Sequence, residues 1–181
     1  ERLRGKLFLL GFYVSMALAT LTKGPVGVLI PLTVSLVYLL IQKDWKGIKR
    51  MALLRGMVLF LVIVFSWYLP ALLKDGLPYL KETLSHQSIE YYATGWDHPK
   101  PFYFYFVNFP ADFLPWFLFL PGAILYGYSN KFFGNRKAFL FLLTWFVLPF
   151  LFFSFSPAKR IQYLLPLFPA TSLMVGKLWG D

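Results

Sequence analysis

Six stretches of this chain contain no Asp, Glu, Lys, Arg or His, and each is 15 to 18 residues long. They cover residues 7–21, 25–41, 57–73, 113–128, 138–155 and 161–176. A helix needs about 20 residues to cross a hydrocarbon core of ~30 Å, so lysine, tryptophan and tyrosine at the ends would complete each span at the interface. The pattern predicts an all-α polytopic membrane protein with about six transmembrane helices.

Lysine and arginine concentrate in alternate connections between these stretches. One side of the predicted membrane holds Arg2, Arg4, Lys6, Lys43, Lys46, Lys49, Arg50, Arg55, Lys131, Arg136, Lys137 and Lys177. Under the positive-inside rule, short loops with an excess of lysine and arginine lie in the cytoplasm. We therefore expect a multi-pass protein of the bacterial inner membrane, with both ends of the sequence inside and the remaining connections on the periplasmic face.

The external side is predicted to carry one larger loop, residues 74–112, between two short turns at 22–25 and 156–160. The apolar spacing of residues 77–89 fits a short amphipathic helix lying on the membrane surface. Aromatic residues 102–106 could stack on a sugar or embed in the interface, and embedding is favoured because tyrosine and tryptophan are enriched at interfaces. Asp112 is expected to cap the following helix. Because the chain begins with Glu1, we interpret residues 1–181 as a single transmembrane region from a longer protein.

Composition supports burial in lipid. Hydrophobic residues make up 58% of the chain and charged residues 14%, whereas soluble domains carry roughly a quarter charged residues. A net charge of +10 would suggest nucleic-acid binding in a soluble protein, but here the cations lie in loops between apolar stretches. Membrane lipids are therefore the expected partners, and no nucleic acid is expected. The chain contains no cysteine, which excludes disulfides and thiolate metal sites.

Three cations lie in the short external turns, against the charge bias of the rest of the chain: Lys23, Lys159 and Arg160. The point charge of lysine and the planar fork of arginine both suit anionic oxygens, so these residues are candidates for binding a phosphate or pyrophosphate. The alternative is that each cation only anchors a helix end among the lipid headgroups.

A second group of candidate residues lies in the external loop: His86, Glu90, Tyr91, His98 and Lys100. His86 and Glu90 are four residues apart, so on a helix they would share a face and could bind a metal ion. With two histidines and no cysteine in the chain, a complete metal site would need further carboxylates. The alternative is a solvated loop face.

Five segments in this order carry a more specific signal. They are ATLTKGP at 19–25, WYLPA at 67–71, HPKPFYFY at 98–105, FLPW at 113–116 and SPAKRIQYLLP at 156–166. Together they resemble the bacterial aminoarabinose transferase and protein O-mannosyltransferase family of membrane glycosyltransferases. The resemblance covers nearly the whole chain and corresponds to a middle portion of that family's membrane region.

The resemblance implies a GT-C-like fold and an enzyme that transfers a sugar from a polyprenyl-phosphate donor to a lipid A, protein or glycan acceptor. Lys23 matches the lysine of the family's Thr-Lys-Gly turn, and Lys159 with Tyr163 matches a lysine and tyrosine four residues apart. Lys23, Lys159, Arg160 and Tyr163 are thus expected to bind the lipid phosphate. The family often has a further phosphate-binding arginine in the outer-loop helix, for which His86 or Arg160 could substitute here.

In the same family a carboxylate in the first external loop acts as the general base, and that loop lies upstream of this sequence. No catalytic residue is therefore expected within the chain. No soluble cofactor is expected to be required. Whether the enzyme uses a divalent metal ion is left open by the resemblance. A transporter and a noncatalytic lipid-binding subunit are the alternatives; ion-coupled transporters usually place ionisable residues inside their spans, whereas these six have none.

Overall fold

The structure is a computed structural model that describes residues 2–81, 100–129, 136–157 and 159–180. The chain divides into two compact units, Glu1–Tyr91 and Tyr92–Asp181. The described residues form helices and turns and contain no strand, which confirms the predicted all-α fold class.

Four helices lie in the described part of the first unit: α1 (Arg2–Lys23), α2 (Val26–Ile41), α3 (Trp45–Arg50) and α4 (Leu53–Lys81). Gly24 ends α1 by adopting a φ of 72°, and its amide donates to the Thr20 carbonyl at 2.8 Å. Glycine takes this left-handed conformation without a steric penalty. Pro25 is the N-cap residue of α2, where its lack of an amide leaves no donor unsatisfied. The resulting tight turn makes α1 and α2 antiparallel neighbours.

The core of the first unit forms where α1 packs against α2 and α4, around the buried Tyr13, Met16, Ala17 and Phe60. The Tyr13 hydroxyl donates to the Met51 carbonyl at 3.0 Å, which ties the middle of α1 to the α3–α4 connection. Glycine allows close packing here, because a Cβ on Gly56 would overlap the Tyr13 ring.

The second unit contains α5 (Phe104–Asp112), α6 (Leu120–Tyr128), α7 (Arg136–Phe155) and α8 (Phe168–Gly180). Two 3-10 segments, Trp116–Phe119 and Ile161–Leu167, precede α6 and α8. Gly127 lets α6 approach α7 closely, since a Cβ there would overlap the ring of Phe139.

Three helical segments in the described part of the chain are long and apolar enough to cross a membrane: Leu3–Lys23, Leu53–Lys74 and Arg136–Phe155. They contain the first, third and fifth predicted spans. Helix α2 has 16 residues and is shorter than the ~20 needed for an upright span.

The fourth and sixth predicted spans are not single regular helices. The segments Phe104–Asp112 and Trp116–Tyr128 form a pair bent by 106°, so the bend lies at the start of the fourth predicted span, 113–128, and the helical part of that span begins at Trp116. Pro115 explains the break, because proline removes a helical donor and disfavours helix in the preceding residue, whereas Pro110 lies inside α5. In the sixth span the 3-10 segment contains Pro166, and the α-helix begins at Phe168 and runs to Gly180.

The predicted external stretch 74–112 is partly helical. Helix α4 continues to Lys81 across a break at Gly76, where φ is 73°, and α5 begins at Phe104. Asp112 is the last residue of α5, so its expected role as the cap of the following helix is wrong. The rest of the amphipathic helix expected over 77–89 lies outside the described residues. The external location of residues 74–112 stays a prediction. So does the interpretation of residues 1–181 as a single transmembrane region.

Candidate functional site

The structure describes five of the candidate residues. Lys100, Lys159, Arg160 and Tyr163 belong to the second unit, and Lys23 belongs to the first. The other four, His86, Glu90, Tyr91 and His98, lie outside the described residues.

Lys159 is a buried cation in the connection between α7 and the Ile161–Leu167 segment. It is 6% exposed, and its Nζ donates to the carbonyl oxygens of Lys100 at 2.9 Å and Ser156 at 2.5 Å. Within the described residues no carboxylate pairs with it. Taking an ammonium out of water costs several kcal/mol, and two carbonyl dipoles offset only part of that cost.

The electrostatics of Lys159 favour an anionic ligand. Burial lowers the pKa of its ammonium below the ordinary value of 10.5, because desolvation disfavours the charged form. An ammonium has three donors, and among the described residues carbonyls accept two of them. A phosphate oxygen could take the third donor and would supply the negative charge that the site lacks.

Tyr105 holds the backbone beside this lysine. Its side chain, on α5, is 0% exposed, and its hydroxyl accepts from the Arg160 amide at 3.1 Å and donates to the Arg160 carbonyl at 3.0 Å. The Lys100 amide also donates to the Pro157 carbonyl at 3.3 Å. We call residues 156–160 the cation loop; the start of α5 and the residues before it hold this loop in place.

Sequence reasoning missed Tyr105, which it had assigned to an aromatic run embedded in the interface. The side chains of Phe102, Tyr103 and Phe106 are indeed largely exposed, whereas Tyr105 is wholly buried. The available signal was a tyrosine hydroxyl, which normally finds a hydrogen-bond partner when buried, but Tyr103 carries the same signal and only the structure shows which of the two is buried.

Two further candidates pack around the cation loop. The amide of Tyr163 donates to the Arg160 carbonyl at 3.0 Å, and its ring stacks on Phe153 with centroids 5.2 Å apart. The Lys100 ammonium lies 4.5 Å from the centroid of the Phe104 ring. The structure thus brings Lys100, Lys159, Arg160 and Tyr163 into one cluster, with the side chain of Arg160 exposed.

An apolar groove of about 520 Å³ lies in the same unit, lined by residues of α5, α6 and α7 and of the segment between α5 and α6. Its lining includes Tyr105, Phe109, Phe117, Ile124, Phe146 and Phe150. Tyr105 takes part in both features, since it is among the residues that line the groove and its hydroxyl contacts the cation loop. A ligand with an anionic head and an apolar tail matches this combination.

Lys23 is the last residue of α1, directly before the Gly24 turn, and its side chain is exposed. The expectation that Lys23 approaches Lys159 in space stays a prediction. No group of three or more His, Cys, Asp or Glu side chains that could hold a metal ion occurs within the described residues, and the His86–Glu90 metal hypothesis falls outside them.

Comparisons with known proteins give a consistent result. No protein-family model matches the chain. Over 91% of its length it is 31% identical to undecaprenyl phosphate-alpha-4-amino-4-deoxy-L-arabinose arabinosyl transferase 1 of Pseudomonas fluorescens. Over 93% it is 34% identical to an uncharacterized protein of Aquifex aeolicus. The chain spans 28% and 37% of the lengths of these two relatives.

A solved structure shares the fold. The crystal structure of ArnT from Cupriavidus metallidurans bound to undecaprenyl phosphate superposes with a TM-score of 0.76 at 25% identity, over 94% of this chain and 30% of that one.

The fold and the cation loop define a class, that of helical membrane proteins with the architecture of membrane glycosyltransferases. The resemblance drawn from the five motifs is confirmed: over the segment that it covers, this chain is related to the bacterial aminoarabinose transferases.

Proposed function

We propose that this chain holds the lipid-linked donor in an enzyme that transfers a sugar from a polyprenyl phosphate to an acceptor. The observation that carries the proposal is the buried Lys159, which has no carboxylate partner among the described residues. The relationship to undecaprenyl-phosphate aminoarabinose transferases supports it over the transporter alternative.

In the proposed reaction a hydroxyl of the acceptor attacks the anomeric carbon of the sugar. The bond from that carbon to the phosphate oxygen breaks, and the phosphate leaves with the electron pair as polyprenyl phosphate. The proton of the hydroxyl passes to a carboxylate, which the family resemblance places upstream of this sequence. Lys159 stabilises the negative charge that develops on the phosphate, and the nearby Arg160 supports it, because preplaced cations in a site of low dielectric favour that transition state.

Tyr163 is carried over from the family motif to the proposed phosphate site beside Lys159. The proposal that Lys23 also binds the lipid phosphate rests on the family motif alone. The polyprenyl tail lies in the apolar groove, where it removes aromatic surface from contact with other lipids. The reaction takes place at the external face of the bacterial inner membrane, as the charge bias of the loops predicts. Lipid A is the acceptor that we propose, on the relationship to the aminoarabinose transferases; protein and glycan acceptors are alternatives.

The test uses the full-length protein and the variants Lys159→Ala and Lys159→Arg. Lys46→Ala is the matched control, because Lys46 is an exposed lysine on α3, in the first unit. We expect Lys159→Ala to lose binding of undecaprenyl phosphate and sugar transfer to lipid A, Lys159→Arg to keep part of both, and the control to keep all. Binding by Lys159→Ala that equals binding by the parent protein would exclude the phosphate role.

If undecaprenyl phosphate binds normally but no sugar reaches lipid A in the parent protein, the acceptor proposal is wrong. Assays with a protein or glycan acceptor then decide between the alternatives.

A further inference from the structure

One oxygen atom organises the backbone that follows Lys159. The Tyr105 hydroxyl both accepts from the amide and donates to the carbonyl of Arg160, across 55 residues of sequence. The amide belongs to the peptide group that joins Lys159 to Arg160, and the carbonyl belongs to the next peptide group. The hydroxyl therefore orients two consecutive peptide planes.

Arg160 needs this support because its conformation is not helical. It has a φ of −130° and a ψ of 141°, and it directly precedes the 3-10 segment Ile161–Leu167. An extended residue at such a position has no intrahelical partner for its amide. The Tyr105 hydroxyl supplies that partner and holds the chain direction at the point where Lys159 enters its buried site.

We propose that Tyr105 is a positioning residue for the phosphate site, and that its hydroxyl acts by directing the Lys159 ammonium toward the donor phosphate. The inference rests on the proposed function. It concerns the hydroxyl and not the ring, because the residue also lines the apolar groove and its ring packs edge-on against Phe104 with centroids 5.3 Å apart. Phenylalanine at position 105 would keep both of those contacts.

Tyr105→Phe in the full-length protein separates these roles. Tyr103→Phe is the matched control, because Tyr103 belongs to the same aromatic run, is 54% exposed, and makes no side-chain hydrogen bond within the described residues. Losing a hydrogen bond that a buried group depends on changes an equilibrium by about tenfold. We expect Tyr105→Phe to weaken undecaprenyl-phosphate binding and raise the donor KM by about that factor, and Tyr103→Phe to leave both unchanged.

A double substitution distinguishes positioning from general support of the fold. If the hydroxyl acts through Lys159, adding Tyr105→Phe to Lys159→Ala causes no further loss of undecaprenyl-phosphate binding. An equal loss of binding in both backgrounds would overturn the inference, because the hydroxyl would then act independently of Lys159. Thermal unfolding in detergent is measured for the parent protein, Tyr105→Phe, Lys159→Ala and the double variant. It shows whether any loss of binding follows a loss of folded protein.

The same set of variants separates failure of the inference from failure of the proposed function. Normal binding by Tyr105→Phe together with lost binding by Lys159→Ala removes the positioning role and keeps the phosphate site. Normal binding by Lys159→Ala removes the phosphate site itself and the inference with it.

Discussion

Lys159→Met would test whether the buried cation serves ligand binding at the expense of stability. Methionine has nearly the length of lysine and no charge, so it removes the ammonium while filling most of the same space. The variant therefore separates the charge of residue 159 from its packing, which Lys159→Ala does not do.

The effect on stability follows from two opposing contributions. Removing the ammonium relieves a desolvation penalty of several kcal/mol. It also leaves the carbonyls of Lys100 and Ser156 without that donor, at about 1–3 kcal/mol each. Because these contributions oppose each other, we expect the free energy of unfolding to change by no more than about 2 kcal/mol.

The loss of affinity for undecaprenyl phosphate in Lys159→Met has no such compensation. Breaking a buried ion pair by removing one partner costs about 3–5 kcal/mol, which corresponds to a loss of affinity of about 10²- to 4 × 10³-fold. We therefore expect Lys159→Met to bind undecaprenyl phosphate weakly while it unfolds close to the temperature of the parent protein.

The dependence on pH gives a second readout of the same residue. Because burial lowers the Lys159 pKa, the unfolded chain binds more protons than the folded protein between that lowered pKa and 10.5. The stability of the parent protein should therefore rise with pH through this window, while its affinity for the phosphate should fall as the ammonium loses its proton. Lys159→Met should show neither trend.

Both trends are measured with purified full-length protein in detergent, as thermal unfolding and as undecaprenyl-phosphate binding across the pH range. The reasoning is refuted if Lys159→Met unfolds far below the parent protein and loses affinity only in proportion to its loss of folded protein. In that case the ammonium would be a structural group.

Three further predictions follow from the packing and exposure of other residues. Gly127→Ala should destabilise the protein by about 1–3 kcal/mol in thermal unfolding, because the added methyl would overlap the buried Phe139 ring. Ile124→Trp should fill the apolar groove and weaken polyprenyl-phosphate binding about tenfold, the equivalent of about two buried methylenes, without affecting a short-chain analogue. Lys23→Ala should reduce use of the polyprenyl-phosphate sugar about tenfold, and leave unfolding unchanged because its side chain is exposed.

Each of these has its own contrary result. Gly122→Ala is the control for Gly127→Ala, because the nearest neighbour of a Cβ at position 122 would be 3.8 Å away. Equal destabilisation by both glycine variants would contradict close packing of α6 on α7. Equal losses for long and short donors in Ile124→Trp would show that the groove does not hold the tail. Unchanged sugar transfer in Lys23→Ala would count against its phosphate role.

The membrane-spanning helices could be predicted because their physical cause is local. An uncharged run such as 57–73 or 138–155 is driven into lipid by the sum of its own side chains, whatever the rest of the chain does. The bend at the start of the fourth span was harder to predict. Pro115 is visible in the sequence, but the 106° angle depends on how α5 packs against α7 and the Ile161–Leu167 segment and how α6 packs against α7 and α8.

The candidate site divides in the same way. The amino-acid sequence by itself marked Lys159, Arg160 and Tyr163 as candidates, because cations on the external side oppose the charge bias and match a family motif. Only the tertiary structure decided that Lys159 is buried without a carboxylate partner in the described part of the chain. It also decided that the Tyr105 hydroxyl binds the backbone of Arg160, the residue after Lys159. Both depend on contacts across 55 or more residues, and such contacts arise from the packing of whole helices against each other, which no local pattern records.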